Sequence, residues 1–172
     1  MSDDSMNLYS LSKAEQAALL ARLALAWDGQ WFLKAYEEYG WEGAARLNTR
    51  VRHAFGRIEM RLLLRALGKR QADDLGDAAR VLQTYYGQVL AEGFAGEFQV
   101  ARDRVHIWVT ACAALAGARR AGLERHDQAC LGCPELFRVY FETLLPGQTA
   151  EVEVMEQMGY GAGRCRYAVR MR

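Results

Sequence analysis

The sequence predicts an α+β domain, an N-terminal helical half packed on a small antiparallel sheet built from two C-terminal hairpins. Three observations predict it. Apolar residues recur at helical spacing from Leu20 to Val89. The period switches to alternation around Val105-His-Ile-Trp-Val109, and again from Glu151 to Arg172. The chain has 172 residues, 51% of them hydrophobic, which suits one domain with a real core. The helical half is assigned to residues 8–93 and the cysteine-containing α+β half to residues 94–172.

The elements follow in order. Met1 to Asn7 reads as a frayed end. Ser12 with Glu15 three residues later is a capping box and opens a helix. Leu20, Leu23, Ala24, Trp27 and Trp31 mark its expected buried face, Gly29 a weak point, and Gly40 its end. A second helix runs from about Glu42 to Leu67, with Leu47, Val51, Ala54, Ile58 and Leu62 as its apolar stripe and Gly68 as its stop. Asp73 or Asp74 caps a third, running to about Leu90 with Tyr85 on its inner side. A hairpin turns at Arg102-Asp103-Arg104, and short helices follow over Ala113–Arg120 and Pro134–Leu145. The last hairpin pairs the Val152–Val154 run with the Cys165–Met171 run.

Charge and composition narrow the function. The formal net charge is +1 and no basic stripe is present, so no nucleic-acid partner is expected. Arg164, Arg166, Arg170 and Arg172 are explained by cross-strand pairing with Glu151 and Glu153. Asp3 and Asp4 stand where a signal peptide would need an apolar core, and no run is long enough to span a bilayer. The expected location is therefore the reducing cytoplasm, without a membrane partner, where cysteines are thiols or metal ligands rather than disulfides. A homodimer is compatible with a domain of this size.

Four sets of residues are candidates for chemistry. Cys130-Leu-Gly-Cys133 is a CxxC knuckle, and with Cys112, Cys165 and His106 it offers soft ligands for zinc or an iron–sulfur cluster. The alternative is that Cys112 and Cys165 are small buried apolar residues. Glu156 continues the inward parity of Val152 and Val154 and is a candidate general acid or base, or else it already lies in the glycine-rich loop. Asp28 and Glu59, one from each long helix, form either a polar pocket or an oxygen-rich metal site, or else they pair with Arg52, Arg57 or Arg61 or are solvated at helix ends. Trp27, Trp31, Trp108 and Tyr167 are candidates for lining an aromatic ligand pocket, or simply for the core.

Trp27-Asp28-Gly29 with Trp31-Phe32, the Ile58-Glu59 pair, Cys112, Arg119, Gly122-Leu123 and Cys165-Arg-Tyr167 occur in an order that resembles an uncharacterised family of bacterial cytosolic proteins. The C-terminal part, through Glu156, Gly159, Cys165 and Tyr167, is similar to the L-2-amino-thiazoline-4-carboxylate hydrolase family and to the 4-vinyl reductase domain. Met158 departs from the reductase-type pattern, where another cysteine is usual. The resemblance implies a small-molecule pocket between the helical half and the sheet. Two functional classes then fit. One is a hydrolase-like enzyme acting on a small polar or sulfur-containing metabolite, with Cys112 or Cys133 as nucleophile, or a metal-bound water, and Glu156 in the same cleft. The other is a non-catalytic sensor or carrier with an aromatic-lined pocket.

Overall fold

The computed structural model describes residues 10–172, so the frayed end expected at Met1–Asn7 lies outside it. Its first element, α1, runs from Lys13 to Ala66. The expected capping box opens it: the Glu15 N–H donates to Ser12 Oγ at 3.2 Å, and the Ser12 N–H donates to Glu15 Oε2 at 2.7 Å. Gly40 interrupts the helix with φ 66° and ψ −177°. Only glycine adopts that conformation without strain. The helix folds back there, because Arg52 makes an ion pair with Asp28, 24 residues earlier. In a straight helix those residues would be roughly 36 Å apart. Near the reversal, the rings of Phe32 and Trp41 meet edge to face at 5.6 Å. The element is therefore an antiparallel helical hairpin, and Gly29 lies within its first arm.

The hairpin buries the face opposite to the expected one. In the first arm, Ala18, Ala21, Leu25, Asp28 and Phe32 are half-buried and Ala35 is buried, while Leu20, Leu23, Ala24, Trp27 and Trp31 are exposed. In the second arm, Ala44, Gly56, Met60, Leu63 and Leu64 are buried, while Leu47, Val51, Ala54, Ile58 and Leu62 are exposed. Apolar residues populate two sides of each arm, so periodicity alone does not choose between them. Small residues decide. A Cβ on Gly56 would come within 3.1–3.3 Å of Leu136, Val139 and Tyr140, so this backbone seats directly against the helix that carries them.

The remaining elements fall where the sequence places them. Helix α2, Leu75–Thr84, is capped by Asp74 Oδ1, which accepts the Asp77 N–H at 2.7 Å. It continues as a π-helical turn, Tyr85–Val89, that turns both Tyr85 and Tyr86 inward. Strands β1 (Phe94–Ala101) and β2 (Arg104–Cys112) form the first hairpin. Helices α3 (Ala113–Arg120) and α4 (Cys133–Leu144) follow, then β3 (Ala150–Glu156) and β4 (Cys165–Met171). The sheet is antiparallel throughout in the order β1-β2-β4-β3, so the two hairpins join through β2 and β4.

Register sets which face each side chain meets. Val105, Ile107 and Val109 of β2 lie opposite Val169, Tyr167 and Cys165 of β4 on the inner face. They pack with Met60, Leu82, Phe137, Tyr140, Phe141 and Leu144 into one core. His106, Trp108, Arg166 and Arg170 take the outer face. Among the described residues, no helix is long and apolar enough to cross a membrane.

Gly40→Ala places a Cβ in a conformation that costs about 1–3 kcal/mol. The expected outcome in thermal melts is a drop of a few degrees, roughly 2–4 °C per kcal/mol for a domain of this size. Gly29→Ala, with open space around its Cβ and ordinary helical geometry, is expected to match or exceed the parent.

Candidate functional site: a carboxyl, tyrosine and thiol cluster

Glu59 sits on the second arm of α1 and turns toward the body. Its carboxylate accepts hydrogen bonds from Tyr85 Oη, and from Tyr140 Oη at 2.8 Å. These hydroxyls come from the π-helical turn and from α4, so three elements meet at one carboxyl group. Burial raises the Glu59 pKa above its ordinary value, and this outweighs the lowering by the two hydroxyls and by Arg52. Tyr85 and Tyr140 are pushed far upward, first by burial and then by neighbouring groups that include the Glu59 carboxylate. Their rings meet edge to face at 6.1 Å, and Tyr86 stacks beside Phe137 at 6.4 Å, so the carboxyl group is walled by aromatic surface.

The four thiols border the same core. Cys112 ends β2, Cys133 begins α4, Cys165 begins β4, and Cys130 closes a short 3-10 turn. The Met158 N–H donates to Cys165 Sγ at 3.3 Å. The neighbouring Cys130 thiol and the Met158 N–H lower the Cys165 pKa, while Cys165 and burial raise that of Cys130. Gly159 makes the close approach possible, since a Cβ there would lie 2.9 Å from Cys130 Sγ and 2.4 Å from the Asp127 carbonyl oxygen. Burial pushes the Cys133 thiol up to about 12, and adjacent Cys112 and Cys165 add to the rise. Burial also raises Cys112. The Tyr167 hydroxyl, which accepts a hydrogen bond from Gln157 Nε2 at 3.4 Å, lowers both Cys133 and Cys165. The Arg52 charge is felt at Glu59, Tyr85, Cys112 and Cys133, so one guanidinium links the carboxyl and thiol halves of the cluster.

Several expected site residues lie elsewhere. His106 is on the outer face, opposite Ala168, with its ring 5.9 Å from that of Trp108. It cannot join the inner thiols, because β2 parity turns it the other way. Among the described residues, no three His, Cys, Asp or Glu side chains are placed to hold one ion. Glu156 is also outside. The register of β3 shifts between Val154 and Glu156, which reverses its parity and sets it opposite Arg166. There it lies 3.5 Å from Arg166 and 3.7 Å from Arg164. The expected convergence of Glu156 with Cys112 and Cys165 is thus not formed.

The expected aromatic lining is dispersed. Trp27 and Trp31 are 69% and 58% exposed on α1, Trp108 borders a shallow outer-face depression with Gln99, His106, Met155 and Arg166, and Tyr167 is buried in the core. Asp28 forms its ion pair with Arg52 at the hairpin seam and also influences Glu59. The structure therefore unites Glu59, Cys112, Cys130, Cys133, Cys165 and Tyr167, with Asp28 at the margin. Sequence reasoning missed Tyr85 and Tyr140 as partners of the carboxylate. Their signal was present: a glutamate near a buried stripe needs hydroxyl donors, and tyrosines on inward positions supply them.

The sequence matches no protein-family model and no curated protein, so the likeness to the thiazoline-carboxylate hydrolase and 4-vinyl reductase families gains no support beyond the residues that suggested it. Solved structures share the fold. A trafficking protein particle complex subunit 3 from Naegleria fowleri, covalently bound to palmitic acid, superposes with a TM-score of 0.58 at 13% identity, covering 93% of this chain and 97% of that one. The phenol-responsive sensory domain of the transcription activator PoxR, with phenol, superposes with a TM-score of 0.55 at 16% identity, covering 95% of this chain and 76% of that one. At these identities the likeness is one of fold.

The raised Glu59 pKa has a defined pH signature. The native state holds this proton more tightly than the unfolded chain does, so its contribution is fully present below the ordinary value of 4.5 and is lost as pH rises through the raised native value. Chemical denaturation of the parent and of Glu59→Gln, from about pH 4 to about pH 8, reads this directly. The parent is expected to lose stability relative to the variant as pH rises, then level off. A difference independent of pH, or one of opposite slope, would show that Glu59 is not held as described.

Proposed function

We propose that this chain is a small-molecule-binding module, a sensor or carrier, whose ligand site is floored by the Glu59, Tyr85 and Tyr140 cluster. The observation that carries the reading is a half-buried carboxyl group held by the hydroxyls of two buried tyrosines beside an aromatic core. Sites for small molecules combine apolar walls with a few placed polar groups, and such a site suits a ligand with one polar head on an apolar body. A phenolic hydroxyl can donate to Glu59 in place of a tyrosine, and a fatty carboxyl can accept from the tyrosines. The two neighbours of the same fold carry phenol and palmitate, which are ligands of that description. A hydrolase with Cys112 or Cys133 as nucleophile is disfavoured, because burial raises both thiols.

Thermal melts with phenol and with palmitate test the reading. At least one ligand is expected to raise the midpoint, since free ligand at about 100 times its Kd stabilises by about 2.7 kcal/mol. Glu59→Gln and Tyr140→Phe are expected to weaken that response about tenfold or more in apparent affinity. No response to either ligand, or an equal response in the variants, would contradict the assignment.

A second reading rests on Cys165, whose thiol is lowered by Cys130 and the Met158 N–H. Here the Cys165 thiolate attacks the carbonyl of an acyl-coenzyme A thioester, the new thioester forms at Cys165, and coenzyme A leaves as its thiol. Intact mass after exposure to palmitoyl-CoA is expected to show one added palmitoyl group, absent in Cys165→Ser. An unmodified parent would remove this reading.

A further inference from the structure

The α1 hairpin covers the body with one side, and among the described residues nothing covers its other side. Asp28 and Arg52 face each other across the seam. At 100° per residue in two antiparallel helices, Trp27 and Val51 then point to the same side of the hairpin. Leu20, Leu23 and Trp31 of the first arm fall within about 50° of that direction, as do Leu47, Phe55, Ile58 and Leu62 of the second. Leu25, Gly56 and Met60 point the opposite way, and they are the residues that meet the body. The two exposed stripes are therefore one face.

Its size and composition say what covers it. Exposures from 38% at Leu47 to 69% at Trp27 leave these nine side chains showing on the order of 1,000 Å². A soluble monomer rarely keeps a patch of more than about 300–600 Å², whereas a stable dimer needs about 800 Å² from each partner. Between Leu20 and Trp31, and between Leu47 and Leu62, the sector carries no charged residue. Lys34, Glu38 and Arg65 stand only at its ends. A charge-free centre with two tryptophans and charges of both signs at the rim is the anatomy of a homodimer interface.

We propose that this face is the interface of a homodimer, hairpin against hairpin about a two-fold axis, forming a bundle of four helical arms. The face is self-complementary, as an isologous contact requires. Glu59 lies about 80° around the second arm from Val51, on the seam side and outside this face, so each copy keeps its own cluster.

Sedimentation velocity and light scattering on the purified chain at micromolar concentration provide the test. The expected mass is twice the chain's 19.4 kDa. The double substitution Trp27→Glu, Val51→Glu is expected to weaken association at least 100-fold while the helical circular dichroism is retained. Trp108→Glu, on the outer sheet face, is expected to leave the dimer intact. A soluble parent that stays monomeric would overturn the proposal. So would a monomeric parent that binds vesicles of phosphatidylglycerol and loses that binding on Trp27→Glu, since the face would then meet lipid.

Discussion

The reversal at Gly40 governs the architecture. A helix of 54 residues is too long to pack on a sheet whose strands have seven to nine residues. One residue with positive φ turns it into two arms of comparable length. The Asp28–Arg52 ion pair then ties the arms together at their middle. That pair is partly exposed, so its contribution to stability is small, and its effect is on register. It sets which side of each arm faces the body, and so which residues become core and which remain open. Glu59 reaches the tyrosines because of this register, and the opposite apolar stripes face outward for the same reason.

The cluster beneath the hairpin is costly to build. A carboxyl group, several phenols and four thiols are withdrawn from water within one small region, and burial is the first cause of most of their pKa shifts. Hydrogen bonds offset part of this cost. Among the described residues, no buried side-chain nitrogen or oxygen lacks a partner. An apolar core would have been simpler and at least as stable. A satisfied polar network in such a place instead provides donors and acceptors with defined directions, which is what a binding site needs.

Much of this was legible in the sequence, for physical reasons. The capping box at Ser12 and Glu15, the reversal at Gly40 and the stop at Gly68 are local backbone events, and local residues announce them. The alternation of Val105–Val109 and Cys165–Val169 revealed the strands and brought Cys112 close to Cys165. Orientation was less legible. Leu23 and Leu25 are equally apolar, and only the fit of Leu25 over Gly93 and Ala113 shows which one packs inward. The bulge after Val154 inverted the parity of Glu156, and nothing in the local pattern marks it. His106 lay outward by the same parity rule that turned Ile107 inward. The partners of Glu59 come from positions 26 and 81 residues away, and only the tertiary fold brings them there.

We place the ligand at the tyrosine-held carboxyl under the hairpin. Nuclear magnetic resonance of protein labelled with carbon-13 at its tyrosine rings, titrated with phenol and separately with palmitate, addresses that claim most directly. The account predicts saturable shifts at Tyr85, Tyr86 and Tyr140, assigned by single Phe substitutions, with exposed Tyr39 and Tyr160 unchanged. Shifts confined to Tyr39 or Tyr160, or no saturable shift with either ligand, would contradict it.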